Sequence, residues 1–254
     1  MSDAWQVDVL VQGYPGKSKE QGGLGWSTIA LARGHGRRVL LDTGRVGVRK
    51  TLFDRLGAFG VTQAEVTDVL LTHLHYDHAE NWQCFPNALI HAPGAELDYA
   101  LQQPIGAPLW PDFALRALAE SSRLRRIAEG PTGLPGIGCF EAPGHSPHHL
   151  VFVLEGSPAT IFSADVAKNR AELATARADM SMDPAVHARS IARLLAEWRA
   201  RPGAVLLAGH DLPMVLDADG RPQAQGTQRN AIDAWLGATL EDVTHFKLIG
   251  GIGH

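Results

Sequence analysis

Thr72-His73-Leu74-His75-Tyr76-Asp77-His78 directly follows the apolar run 66–71, a stretch short and hydrophobic enough to form a buried strand. Three histidines and an aspartate lie within six positions. They resist explanation as core packing, because every buried ring or carboxylate would need its own polar partner. Gathered at the end of a strand, these side chains suit a borderline-soft divalent cation such as zinc. In extended chain His73 and His75 point the same way, and a turn after them lets Asp77 and His78 face a neighbouring position.

The elements outside this stretch interleave. A strand is expected at 5–11, then a Gly/Lys/Pro-rich stretch at 13–25, which reads equally as a solvated loop or as a flap over a pocket. A hairpin follows, 26–32 with 38–42. Helical spacing marks 46–59, a strand 89–91, and helical stretches 95–101 and 113–127. A strand at 137–142 leads to a second hairpin, 150–154 with 161–163. Residues 184–199 form the clearest amphipathic helix, and 204–207 a last buried strand. No repeat, low-complexity tract or linker interrupts the chain, so residues 1–254 are read as a single domain. Strands alternating with helices, with hairpins in each half, favour a layered α/β sandwich over a purely parallel βαβ array.

The HxHxDH pattern resembles the signature of the metallo-β-lactamase fold superfamily, and further segments match that family in order. Pro143-Gly144-His145-Ser146-Pro147 is similar to its "PGH(S/T)P" motif. Asp165 in Ser163-Ala164-Asp165 and His210 in Gly209-His210-Asp211 each follow a predicted strand, and Asp42 in Asp42-Thr43-Gly44 ends one. The resemblance spans residues 25 to 213. It implies an α/β (α+β type) fold, the αββα sandwich of two mixed sheets flanked by helices. It also implies two divalent metals, zinc first, with iron or manganese as alternatives. His73, His75 and His145 would hold one metal, Asp77, His78 and His210 the other, with Asp165 bridging. Asp42 and His149 would stand behind these ligands and orient them.

The same comparison narrows the chemistry. Asp165 is not cysteine, unlike the common β-lactamase branch, and His75 is not glutamate, unlike the flavo-diiron branch. The remaining resemblance is to compact hydrolases, acyl-homoserine lactonases and hydroxyacylglutathione hydrolases among them. It implies a metal-dependent hydrolase cleaving a small ester, lactone or thioester by a metal-bridging hydroxide, with Asp77 as the catalytic carboxylate. The alternatives are a phosphodiesterase or nuclease on the same two-metal site, and a mono-iron dioxygenase of the persulfide type. Candidate substrate contacts are Tyr14, Lys17, Tyr76, Trp82 and His148. His91 reads as structural, and His35, His187, His245 and His254 as exposed.

Composition sets the remaining bounds. A net charge of −4 over 254 residues argues against a nucleic-acid surface and leaves a small molecule as the partner. Monomer and homodimer both stay open. Cys84 and Cys139 are too few for a disulfide framework. The opening residues lack the basic and apolar regions of a signal peptide, and no window reaches the roughly 18 apolar residues of a membrane span. Together these set a cytoplasmic expectation.

Overall fold

The computed structural model describes residues 4–20 and 22–248. Along the strand Asp68–Leu70 that leads into the histidine motif, Val69 turns to one side and Leu70 to the other. Its neighbours alternate in step. Ile29, Leu31, Leu40 and Ile90 join Val69, while Ala30, Ala32, Val39 and Leu41 join Leu70. Period-two alternation with both faces apolar requires cover on both sides.

This first sheet has six strands, in the order Gln6–Val11, Ile29–Gly34, Arg37–Leu41, Asp68–Leu70, Leu89–Pro93, Leu124–Ile127. Its first three strands are antiparallel, and the rest add on in parallel. Helices Arg49–Ala58, Gly94–Leu101 and Asp112–Ala119 cover one face through Leu52, Leu56, Leu97, Leu115 and Leu118.

A second sheet of seven strands meets the other face. Phe152, Phe162 and Leu207 interlock there with Leu41 and Leu70. Its outer face is covered by helices Arg170–Thr175 and Pro184–Arg199 through Leu173, Ile191, Leu194 and Trp198. The long helix begins where the sequence places it. Asp183 accepts hydrogen bonds from the Ala185 and Val186 N–H groups, and Pro184 occupies the first turn. The layers are therefore helix, sheet, sheet, helix: an αββα sandwich of two mixed sheets.

The strand ends carry the site. Thr160–Ala164 and Val205–Ala208 form a parallel pair, so Asp165 and His210, which follow them, emerge side by side. Gly209 is required between them, since a Cβ there would lie 2.0 Å from Asp165 Oδ1. Gly144 has φ +124°, and a Cβ would lie 2.4 Å from the His187 backbone, so the turn before His145 packs directly on the long helix.

The stretch 113–127 is not one helix. Asp112–Ala119 is helical, and Leu124–Ile127 is the edge strand paired with Leu89–Pro93. Ladder hydrogen bonds to that strand outweigh the local helical propensity of Leu-Arg-Arg. Residues 46–59 begin as a 3₁₀ turn at Val46–Val48 before the helix Arg49–Ala58. The sequence reading did not include the helix Arg170–Thr175 or the strands Met214–Leu216 and Pro222–Ala224. It also omitted the separate hairpin Ala231–Trp235 with Val243–Lys247. None of the described helices is long and apolar enough to cross a membrane.

Candidate metal centre

Three loops after strands bring two groups of donors together. In the first, His73 Nε2 lies 3.1 Å from His75 Nδ1, which lies 3.1 Å from His145 Nε2. In the second, Asp77 Oδ2 lies 3.8 Å from His78 Nε2 and 3.5 Å from His210 Nε2. Asp165 stands between the groups. Its Oδ2 is 3.2 Å from His145 Nε2, and its Oδ1 is 3.3 Å from both His78 Nε2 and His210 Nε2.

These spacings suit metal ions. A tetrahedron with arms of about 2.0–2.1 Å has edges of roughly 3.3 Å, close to the donor separations in both groups. His78 Nε2 and Asp165 Oδ1 are buried and have no hydrogen-bond partner, a costly state for polar atoms unless a cation takes the lone pairs. Nitrogen and carboxylate donors without thiolate fit zinc, iron or manganese.

For four of the five rings the other nitrogen is held so that Nε2 is left free, whereas His75 faces its group through Nδ1. His210 Nδ1 donates to the Trp26 carbonyl at 2.9 Å, and His145 Nδ1 to the Met180 carbonyl at 3.2 Å. His78 Nδ1 donates to Asp42 Oδ2 at 2.7 Å. Thr72 gives its hydroxyl proton to Asp42 at 2.8 Å and accepts from His73 Nδ1 at 3.1 Å. Asp42 also accepts the Thr72 N–H at 2.8 Å. One buried carboxylate thus orients two of the five rings, as expected of an outer partner in a metal site. His149 accepts the Asp165 N–H at 3.3 Å, and its ring stacks on His73 with centroids 4.6 Å apart.

The two groups titrate in opposite directions. Burial pushes His73 and His145 well below the ordinary imidazole value and His75 down to about 4. Burial also lowers His78, but Asp77, Asp165 and Asp42 outweigh it and leave that ring well above its usual value. His210 is raised by Asp165 and Asp77 against the same burial. Burial works to raise Asp165, yet His210, His78 and His145 hold it well below the carboxylate range.

A cavity of about 150 Å³ opens over the donors and is lined by Tyr14, Lys17, Tyr76, Asp77, Asp165 and His210, and by Lys168 and Met180. The stretch 13–25 reaches this cavity. It folds as a small ladder, Lys17–Ser18 with Gly22–Gly23, and Lys17 forms an ion pair with Asp179. Lys168 bonds Glu172 Oε1 at 2.9 Å and the Asp179 carbonyl at 2.6 Å.

Two expected substrate contacts lie elsewhere. Trp82 is buried in the core under the first sheet, its indole N–H donating to the Ala114 carbonyl at 3.0 Å. His148 turns outward to Glu141, 3.2 Å from Oε1. The apolar packing of Trp82 and the charge of Glu141 account for these placements. His187 is also not exposed. It is 1% exposed, with Nδ1 2.6 Å from Ser181 Oγ and Nε2 3.0 Å from the Val166 carbonyl. The buried stripe of the long helix, which includes Ser190, Ile191 and Leu194, carries it inward. His35 is half-buried against Trp5, His245 is exposed beside Asp233, and His254 lies outside the described residues. His91 is buried and bonded to Asp68 Oδ1 at 3.0 Å, away from the donor groups. Sequence reasoning missed Lys168, Glu172 and Glu96. Only Lys168, three positions after Asp165, carried a signal in its spacing.

The sequence model of the metallo-beta-lactamase superfamily matches residues 22–210, so the chain belongs to that superfamily. Metallo-beta-lactamase domain-containing protein 1 from Homo sapiens is 29% identical over 208 residues, covering 80% of this chain and 70% of that protein. Among solved structures, the fold is shared with AidC, a dizinc quorum-quenching lactonase in complex with its product. That match has a TM-score of 0.67 and 18% identity, covering 89% of this chain and 92% of that one. An N-acyl homoserine lactone hydrolase with N-hexanoyl-L-homoserine at its catalytic metal centre superposes with a TM-score of 0.65 and 18% identity. It covers 83% of this chain and 94% of its own.

Proposed function

We propose that this metal-dependent hydrolase cleaves a small ester, lactone or thioester at a two-metal site. His73, His75 and His145 would hold one ion and Asp77, His78 and His210 the other, with Asp165 shared. The observation that carries this reading is Asp165, whose two oxygens each face a different donor group at 3.2–3.3 Å. Two divalent cations there would bring the acidity of water to near neutrality and polarise the bond under attack.

The chain's own groups do the rest. Asp77 borders the cavity with its side chain 14% exposed. There it would accept a proton from attacking water and return it to the leaving group. The Tyr76 hydroxyl, raised by burial and the nearby Asp77 charge, stays protonated and offers a hydrogen bond at the same cavity. The small volume and the Lys17–Asp179 contact across it favour a compact substrate. The lactonase neighbours support an acyl-transfer centre over a phosphoryl one.

The test pairs metal content with substrate choice. Protein prepared without added metal should carry two ions per chain, and it should hydrolyse members of a panel of short-chain lactones, thioesters and aryl esters. Turnover of phosphodiesters alone would overturn the acyl reading. One iron per chain with oxygen consumption would overturn hydrolysis itself.

A further inference from the structure

His187 lies on the buried stripe of the helix Pro184–Arg199 and belongs to none of the donor groups among the described residues. Both of its nitrogens are nevertheless bonded to segments that carry the centre. A carbonyl only accepts, so His187 Nε2–H donates to the Val166 carbonyl at 3.0 Å. Burial lowers the pKa of the ring, and its neutral Nδ1 accepts the Ser181 hydroxyl proton at 2.6 Å. Val166 directly follows Asp165. Ser181 directly follows Met180, whose carbonyl takes the His145 Nδ1–H at 3.2 Å. The backbone of His187 also lies against Gly144, the residue before His145, where a Cβ would come within 2.4 Å.

Residues 177–183 form neither helix nor strand and are largely exposed, with Met180 at φ +55°. An irregular exposed segment opens easily unless buried contacts hold it. Two contacts flank the Met180 carbonyl. On one side the Asp179 N–H donates to Glu172 Oε1 at 2.9 Å, and on the other Ser181 donates to His187. We infer that His187 is a positioning residue, which locks residues 180–181 to the turn after Asp165 and so aims His145 Nε2 at Asp165 Oδ2, 3.2 Å away. The route through Ser181 and Met180 ends on His145 and therefore on the first metal position. The route through Val166 ends on Asp165, which both positions share. This inference rests on the reading of the donors as metal ligands, and a wild-type metal titration tests that reading on its own.

Ser181→Ala removes one hydroxyl from a half-buried loop residue, and Ser181→Thr keeps it. His187→Phe keeps a ring and removes both hydrogen bonds. Zinc binding to each metal-free protein is measured against a chromophoric chelator, resolving two affinities, with circular dichroism and thermal unfolding of the apoprotein in parallel. Asp77→Asn, weakened at the second position, tells the two affinities apart. Folded Ser181→Ala should bind the first ion roughly tenfold more weakly and the second as wild type does, and Ser181→Thr should recover the first. A residue that only holds the fold together would lower the unfolding temperature without separating the two affinities. His187→Phe should weaken the first ion at least as much as Ser181→Ala does, and through Asp165 it should weaken the second as well. The two Ser181 variants give the answer if His187→Phe does not fold. Wild-type affinities in folded Ser181→Ala, an equal loss at both positions in that variant, or no recovery in Ser181→Thr would overturn the inference. Wild-type protein that takes up no zinc at the first position would overturn the reading of the site itself.

Discussion

Asp42 Oδ2 lies 2.7 Å from His78 Nδ1, and both side chains are completely buried. Asp42 has a positive φ of 56°, an uncommon conformation for a residue other than glycine, and the backbone there turns the carboxylate beneath the motif loop. It meets three donors: the Thr72 N–H, the Thr72 hydroxyl and His78 Nδ1–H. Asp42→Asn should therefore disturb His78 and, through Thr72, His73. The expected loss of zinc affinity is about 10–100-fold, read by chelator competition on folded protein. An asparagine variant that binds both ions like wild type would remove Asp42 from the metal-orienting role.

Protons should compete unequally for the two positions. His73, His75 and His145 have lowered pKa values, so these rings are neutral and ready for metal at any ordinary pH. His78 and His210 have raised values, so a metal must displace protons from them, and its affinity weakens as pH falls through those values. Lowering the pH from about 8 to about 6 should release the Asp77–His78–His210 ion before the other. Calorimetry in buffers of different ionisation enthalpy should likewise show more protons released by that ion. The reverse order of loss would contradict the electrostatic picture of the second group.

The sequence shows the layers and most of the centre because both depend on local patterns. The short apolar run 66–71 predicts a strand, helical spacing over 184–199 predicts the long helix, and HxHxDH marks where donors gather. Placements decided by distant chain were harder to read. Nothing local says that Leu124 starts a strand, since its partner is Leu89–Pro93. Trp82 sits two residues beyond Glu80 near the motif yet faces inward because Arg123 and Ala114 lie across it. Glu96 looks like an ordinary solvent-facing helical residue until the His148 N–H is seen above it.

The Lys17–Asp179 pair is exposed on both sides, with side chains 57% and 66% accessible. Such a pair contributes little to folding, but it joins the stretch 13–25 to Asp179, which lines the same cavity. Lys17→Ala and Asp179→Ala should leave thermal stability within the error of unfolding measurements. Each should change KM several-fold with a smaller effect on kcat, and the effect should shrink at high salt as screening weakens the pair. Steady-state kinetics of both single variants and the double variant would show coupling. Fully additive effects would mean that the two residues do not act together at the cavity.

Asp77→Asn separates chemistry from scaffold most directly. The variant keeps size and shape, but a neutral amide cannot accept a proton and is a weaker ligand. Asp77 Oδ2 faces both His78 and His210, so the second ion should bind less tightly. Losing one acid–base role should cost roughly 10²–10⁴-fold in kcat, beyond any loss from reduced occupancy. His91→Gln is the matched control. His91 is buried and bonded to Asp68, so its loss should lower stability by about 1 kcal/mol and leave kcat nearly unchanged. Both proteins are refilled with the same metal, and bound metal and kcat are measured on the same sample. If Asp77→Asn keeps two ions and near-normal kcat, another group moves the proton. If His91→Gln is inactive while folded and fully loaded, the Asp68–His91 pair serves the reaction as well as the fold.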